Sequence, residues 1–426
     1  MKSISADVQV RFRYQVHFTH DLFAPDNSLL RSVLTESEVV PAIAQSVAQL
    51  ADFPSQNAPA KRARVLFVVD ESVEAALGLR QKIEDFAAHH AHWLEMLAPP
   101  LLVPGGERIK NEIEHVEAVQ TLINETGLDR HSYVIAVGGG ALLDAVGYAA
   151  ATAHRGVRLV RVPTTTLSQN DSGVGVKNAV NAFGKKNFIG TFAPPFAVLN
   201  DFEFLRTLPA REWRGGMAEA VKVALLKDAR FFEFLEDHGA ALRSRDMEAM
   251  QHLVHRCAEL HVQHICTSGD AFEMGSSRPL DFGHWAAHKL EQITGYRLSH
   301  GDAVAIGLSL DCTYSHLMGW LSRDEWCRIL STLSSFGFEL WSPHLSEHLD
   351  DQSHQNNVFR GLREFREHLG GQLTIAMLRG VGAGFDVHEI DESVMRRAME
   401  QLETEAATLA ETESPTCDCA ALEVAA

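Results

Sequence analysis

Residues Tyr133–Val137 form a short apolar run that passes straight into Gly138-Gly139-Gly140 and then into a helical pattern over Ala141–Ala153. A strand, a glycine turn and a helix start, in that order, commit this part of the chain to a parallel α/β sheet. The same order aims backbone N–H groups and the positive end of a helix dipole at one point, which suits a pyrophosphate. Three glycines alone fit a plain strand–helix turn equally well. Two further features fall at the same kind of edge. Asp70 ends the run Val65–Val69, where an acidic residue commonly binds a ribose hydroxyl, and Pro163-Thr164-Thr165-Thr166 follows the run Leu159–Val162. Ligands of open α/β sheets bind outside the carboxyl ends of the strands. The three features together predict a dinucleotide site.

At 426 residues the chain exceeds one ordinary core, so two domains are expected. Val8, Val10, Phe12, Tyr14, Val16 and Phe18 alternate with polar residues and predict an N-terminal strand. Another strand is expected at Ala197–Leu199. After Asp201 helical patterns dominate, over Met217–Leu226, Phe231–Leu242, Met247–Ile265 and Trp285–Ile293. The expected organisation is an α/β nucleotide domain over 1–205, a mostly helical domain over 206–402 and a loose, Ala/Glu/Thr-rich acidic tail over 403–426. With 38 Lys and Arg against 56 Asp and Glu, the formal net charge is −18. Such a field disfavours nucleic acid and anionic membranes as partners. No secretory signal or membrane-spanning run is visible, and the six cysteines form no C-x-x-C pair. A cytoplasmic protein with reduced thiols is the expectation.

The helical half carries a second constellation. Gly283-His284-Trp285-Ala286-Ala287-His288 puts two imidazoles at i and i+4 on one helix face, and His300-Gly301-Asp302 follows. Glu219 lies in Gly216-Met217-Ala218-Glu219-Ala220-Val221-Lys222, a small-residue helix where a lone carboxylate has no evident solvation role. One Glu and two His with open positions is the donor set of a catalytic zinc ion. Trp285 stands where a metalloprotease helix carries its glutamate, which argues against a protease. In a chain with 22 histidines, the spacing alone does not separate a metal site from coincidence.

These motifs resemble dehydroquinate synthase and the other sugar-phosphate cyclases. The resemblance covers roughly Asp70 to Gly307. It is densest in RGVRLVRVPTTTLSQNDSGVGVKNAVNAFGKKNFIG, which starts at Arg155, and in TLPAREWRGGMAEAVK, which ends at Lys222. It implies an α/β NAD-binding domain followed by a helical metal- and substrate-binding domain. It places the metal ligands, for Zn²⁺ or Co²⁺, at Glu219, His284 and His300. NAD contacts fall on Asp70, Glu107, Lys110, Gly139, Gly140, Asp144, Thr164, Thr165, Lys186 and Thr207. Catalytic and substrate residues fall on Asp171, Lys177, Asn187, Lys222 and His288. Arg155 matches an arginine that reaches the neighbouring subunit's phosphate, which implies a homodimer. The implied reaction is loss of phosphate with closure of a carbocycle, NAD being regenerated within each turnover.

The departures gather where a substrate carboxylate would bind. In Arg256-Cys257-Ala258-Glu259-Leu260-His261 the last position is a lysine in dehydroquinate synthases. Ser277 stands at a family arginine, with Arg278 one place late, and Asp281 stands at a family asparagine. The distal lysine near the C-terminus corresponds to the Arg366-Glu367-His368 region. Two cations are lost and one anion gained. At an effective dielectric of 20, one carboxylate–carboxylate contact at ~4 Å costs about 4 kcal/mol. The pattern resembles cyclases that take sedoheptulose 7-phosphate, a ketose without a carboxylate, whereas His288 is retained as in dehydroquinate synthases. RPLDFGHWAAHKLE and the Val16-His17-Phe18-Thr19 strand resemble a dehydroquinate synthase-like branch of bacterial secondary-metabolite clusters. The expected function is therefore a cyclase of a neutral C7 ketose phosphate. The alternatives are a 3-dehydroquinate synthase acting on 3-deoxy-arabino-heptulosonate 7-phosphate, a metal-dependent polyol dehydrogenase, and a non-catalytic binding protein on the same fold.

Overall fold

The computed structural model describes residues 3–36, 62–275, 277–368 and 373–413. The chain divides into two compact units, Met1–Trp213 and Arg214–Ala426. The strands of the first are β1 (Val16–Thr19), β2 (Ala63–Asp70), β3 (Leu94–Met96), β4 (Leu101–Val103), β5 (Tyr133–Gly138), β6 (Arg158–Pro163), β7 (Lys177–Ala182), β8 (Lys185–Phe192) and β9 (Ala197–Asp201). Its helices are α1 (Leu29–Glu36), α2 (Glu71–Leu77), α3 (Leu79–His89), α4 (Arg108–Asn111), α5 (Glu114–Glu125) and α6 (Gly140–Thr152).

Seven strands form one sheet in the order β1-β9-β6-β5-β2-β3, with β4 also on β2, and every pairing in it is parallel. The sequence of β2 shows why. Val65, Phe67 and Val69 pack into a core with Leu30, Ile83 and Phe86 on one face. Leu66 and Val68 pack with Val116, Val119, Ile123, Leu142 and Val146 on the other. A strand buried on both faces reads as a continuous apolar run, as parallel sheets covered by helices require. β7 and β8 stand apart as an antiparallel hairpin.

The N-terminal strand is much shorter than its alternation predicts. Only Val16–Thr19 pairs, and it pairs with Val198–Asp201. Val8, Val10 and Phe12 are 78, 67 and 55% exposed. Alternation reports which face a strand would bury, whereas pairing needs a partner strand alongside, and β9 begins only at Ala197, one residue before the partner of Val16.

The second unit contains α7 (Ala210–Lys227, which begins just before the division), α8 (Ala229–Asp237), α9 (Gly239–Arg243), α10 (Met247–Thr267), α11 (His284–Ile293), α12 (His300–Leu317), α13 (Arg323–Ser335), α14 (Arg360–His368) and α15 (Glu392–Glu413). A small hairpin of β10 (Ile375–Leu378) and β11 (Gly384–Val387) completes it. Helix α12 is buried almost all round from Ala303 to Ser315, so it serves as the axis of this unit. Helix α15 corrects the expected tail. It runs on to Glu413 because Ala and Glu favour helix and because Met399 and Leu402 anchor it in the core. Residues 414–426, with Cys417 and Cys419, lie outside the described residues. Cys257, Cys266, Cys312 and Cys327 are free thiols. Among the described residues, no helix is long and apolar enough to cross a membrane.

The start of α11 is pressed against α12. Gly283 precedes α11 with φ +77°, and a Cβ on Gly307 would lie 2.0 Å from the Gly283 carbonyl oxygen. Gly307→Ala should therefore cost ~1–3 kcal/mol, as overpacked cores do. Gly215→Ala, whose Cβ would meet nothing within 4 Å, should be tolerated. Thermal unfolding of the two variants checks this; equal melting temperatures would contradict the close approach.

Candidate functional site

The carboxyl edge of the sheet gathers the predicted nucleotide residues of the first unit. Val69 pairs with Val137 and Gly138 with Pro163, so Asp70, the glycine turn and Thr164 lie on adjacent strand ends. The Thr164 N–H donates to the Gly138 carbonyl at 3.1 Å. Gly139 is the N-cap of α6 and offers no side chain to its first turn, which leaves backbone N–H groups for an anion. The buried Thr164 hydroxyl has no hydrogen-bond partner among the described residues. Thr165 exchanges hydrogen bonds with Ser168, its N–H donating to the Ser168 hydroxyl at 3.0 Å. Asp70 caps α2, its Oδ1 accepting the Ser72 N–H at 2.8 Å, while a Cβ on Gly105 would lie 2.2 Å from Oδ2. Uncapped helix N–H groups and an orphaned buried hydroxyl at one sheet edge fit a dinucleotide phosphate.

A charged network joins that edge to the β7–β8 hairpin. Lys110 is 3% exposed; its ammonium pairs with Asp144 at 2.7 Å and donates to the Asn187 side-chain oxygen. Glu107 lies 3.3 Å from Lys186. Burial alone would raise the Glu107 carboxyl, but Lys186, Lys110 and the Asn181 amide outweigh it and hold it below the usual range. Asn187, predicted as a substrate residue, thus sits in the same network as the predicted cofactor residues. Lys177 is exposed at the start of β7, and Asp171 is half-buried in the turn Ser168–Ser172. The Thr207 hydroxyl donates to the Phe204 carbonyl at 3.4 Å. Arg155 is exposed just past α6, where His154 and Arg155 both have left-handed backbone, φ 51° and 61°.

In the second unit α7, α11 and α12 bring Glu219, His284 and His300 together, with one ligand atom of each within 4.8 Å of the others. Glu219 is fully buried. Its Oε1 faces both imidazoles, 3.4 Å from His284 Nε2 and 3.2 Å from His300 Nε2. Its Oε2 pairs with Lys222. Burial pushes this carboxyl up, yet Lys222, His284 and His300 hold it well below its ordinary value. The His284 Nδ1–H donates to the Phe282 carbonyl at 3.0 Å, which leaves the Nε2 lone pair pointing at the carboxylate. One carboxylate and two imidazoles presented this way fit a divalent zinc-like ion. His288 stands beside them, its ring 5.4 Å from that of His284 and 6.0 Å from that of His300.

Comparison with known proteins covers both halves of the chain. The signature described as 3-dehydroquinate synthase N-terminal matches residues 100–215, and that described as 3-dehydroquinate synthase C-terminal matches residues 216–356. The chain belongs to the 3-dehydroquinate synthase family. That makes it a member of the sugar-phosphate cyclases, carbon–oxygen lyases acting on phosphates. A 3-dehydroquinate synthase from Shewanella is 34% identical over 337 residues, covering 79% of this chain and 89% of that one. A 2-epi-5-epi-valiolone synthase from Streptomyces glaucescens is 31% identical over 400 residues, 93% of each chain. The structure of 2-epi-5-epi-valiolone synthase from Streptomyces hygroscopicus subsp. jinggangensis, with NAD+ and Zn²⁺ bound, matches with a TM-score of 0.78 at 27% identity, covering 94% of this chain and all of that one.

The residues expected to set substrate specificity have their own partners. The Ser277 hydroxyl donates to Asp386 on β11 at 2.5 Å. Arg278 faces Glu273 at 3.7 Å. Asp281 ends the short turn Pro279–Asp281, on which the β10–β11 hairpin packs. His261 is half-buried on α10.

Three structural residues escape the sequence reading. Arg161, fully buried in β6, donates to the carbonyls of Gly173, Gly175 and Lys177 and to the Asn178 side chain at 2.7–3.0 Å. It thereby holds the segment that presents Lys177. Its signal was an arginine inside an apolar strand. Asn181 donates to Glu107 at 2.9 Å and accepts the Asn187 N–H at 2.9 Å. Asp311, an acid within an apolar helix, accepts the Gly283 N–H at 3.1 Å and the Trp285 indole N–H at 2.9 Å, bracketing His284.

Burial raises the Asp311 carboxyl to about 7 from 3.8. The folded protein therefore keeps a proton that the unfolded chain releases, and stability from this group is lost as pH rises from about 4 through 7. Asp311→Asn removes that dependence. Wild-type stability relative to the variant should fall between about pH 4 and 7, by at most ~1.4 kcal/mol per pH unit, read from unfolding of the apo-protein. A difference independent of pH would contradict it.

Proposed function

We propose that this chain is an NAD- and divalent-metal-dependent cyclase of a neutral C7 ketose phosphate such as sedoheptulose 7-phosphate, which releases phosphate and closes a carbocycle. The observation that carries the choice of substrate is the pairing around Ser277 and Arg278. The arginine available to replace the family's lost cation is engaged by Glu273, and Ser277 is turned to Asp386. A substrate carboxylate would have to displace Glu273 from Arg278 in a neighbourhood that also holds Asp281 and Asp386. At ~4 Å and an effective dielectric of 20, each such repulsion costs about 4 kcal/mol.

In this reading Asp70, Glu107, Lys110, Gly139, Gly140, Asp144, Thr164, Thr165, Lys186 and Thr207 hold NAD, and Glu219, His284 and His300 hold Zn²⁺ or Co²⁺. When bound, NAD takes and returns one hydride while the metal polarises the oxygens it holds. The remaining roles belong to the chain. Lys177 and the Asn187 amide cradle the phosphate, with Arg155 supplied by the second copy of a homodimer; charge-assisted contacts of this kind stabilise the departing anion. The exposure of Arg155 and its left-handed backbone support a reach beyond its own subunit. Lys222 holds Glu219 ionised, Asp171 orients the hydroxyls beside Lys177, and His288 carries a proton to or from the reacting oxygens.

The second reading is a 3-dehydroquinate synthase, which the retained His288 favours. Release of inorganic phosphate separates the two when purified enzyme with NAD and Zn²⁺ is given sedoheptulose 7-phosphate or 3-deoxy-arabino-heptulosonate 7-phosphate. Release from the neutral sugar is expected. Ser277→Arg with Asp281→Asn should then raise activity on the acid by about tenfold or more, equivalent to ~1.4 kcal/mol. Release from the acid alone, unaffected by the double change, would overturn the proposal.

A further inference from the structure

Glu291 lies outside the set of three ligands, yet it is 3% exposed. It stands on α11 at i+7 from His284 and i+3 from His288, so the three share one helix face. A buried carboxylate is retained only where a partner compensates it, and here the partner is an imidazole. Glu291 Oε2 lies 3.4 Å from His300 Nδ1, while Nε2 of the same ring lies 3.2 Å from Glu219 Oε1. The His300 ring is therefore held between two buried carboxylates.

The two ligand histidines solve one problem in two ways. A neutral imidazole that gives the Nε2 lone pair to a cation keeps its proton on Nδ1, and that proton needs an acceptor. For His284 the acceptor is the backbone carbonyl of Phe282, at 3.0 Å. For His300, at the first position of α12, the group facing Nδ1 is Glu291. We propose that Glu291 is a positioning residue: it accepts the Nδ1–H of His300, fixes its tautomer and ring plane, and so turns Nε2 toward Glu219 and His284. The helix that supplies one ligand thereby orients the other. This rests on the reading of Glu219, His284 and His300 as a cation centre.

The same atoms admit a rival. His288, Glu291 and His300 also converge within 4.8 Å, as a second cation site sharing His300 would. Filling both sites would require His300 to surrender both ring protons, whereas the positioning role needs only the ordinary neutral imidazole.

Chelator-competition titration of apo-protein with Co²⁺, together with the visible d–d spectrum, decides between them. Wild type, Glu291→Gln and Glu291→Ala should each bind one Co²⁺ per chain. Glu291→Ala should bind it ~10–100-fold more weakly with altered d–d bands. Glu291→Gln, which keeps an acceptor oxygen in the same place and the same fold, should recover most of the affinity. Wild-type affinity and spectrum in Glu291→Ala would overturn the proposal. Two Co²⁺ in wild type and one in Glu291→Ala would overturn it too, by making Glu291 a ligand. Failure of wild type to bind Co²⁺, with binding equally absent in His284→Ala, would remove the centre itself and Glu291's role with it.

Discussion

Much of the second unit is organised around one fully buried carboxylate. An ionised group taken from water into a protein interior is tolerated only with close compensation, and Glu219 has three basic partners: Lys222, His284 and His300. Meeting that requirement forces α7, α11 and α12 to converge. Glycines make the convergence possible. A Cβ on Gly301 would lie 2.3 Å from the Gly215 carbonyl oxygen, and one on Gly307 would collide with Gly283. Asp311 then fixes the residues on either side of His284. Packing and chemistry share the same helices, so the site is preorganised by the core and not by loops.

The first unit reaches a binding edge by other means. Parallel strands end together, and their following turns present backbone N–H groups and hydroxyls beside the buried carboxylate of Asp70. Further charge joins that edge to the β7–β8 hairpin, where Glu107, Lys110 and Asp144 from the helices interlock with Lys186 through Asn181 and Asn187. Lys177 and Arg155 add exposed cations to the same unit. In a chain of net charge −18, such local clusters are what an anionic cofactor or substrate must find, because the overall field opposes it.

The parallel sheet was legible because its strands are apolar on both faces and its glycine turn leads directly into a helix. The candidate metal centre was legible only as residue types, since Glu219 lies far from His284 in sequence and periodicity says nothing about tertiary convergence; the family resemblance supplied the choice between His288 and His300. Other features were hidden for physical reasons. The alternation of Val8–Phe18 promised a strand, but β9 begins too late to pair with its first half. The acidic stretch after Glu403 looked loose, yet alanine and glutamate simply prolong α15. Arg161 and Asp311 appeared as single polar residues within apolar runs. Their meaning depends on carbonyls and N–H groups from elsewhere in the chain, which no local pattern reveals. Asp386 lies 109 residues beyond Ser277, and that separation hid the contact between them.

The proposed reaction is a redox-neutral cyclisation: a phosphorylated sugar enters, phosphate leaves, and the nicotinamide returns to its starting state in every turnover. The most direct test follows phosphate release and reduced nicotinamide together, with NAD supplied at far less than the sugar concentration. Many phosphates released per NAD, with no accumulating NADH, is the predicted result. One NADH formed for each sugar consumed, or NADH formed without phosphate, would contradict the account and make the protein a dehydrogenase built on a cyclase fold.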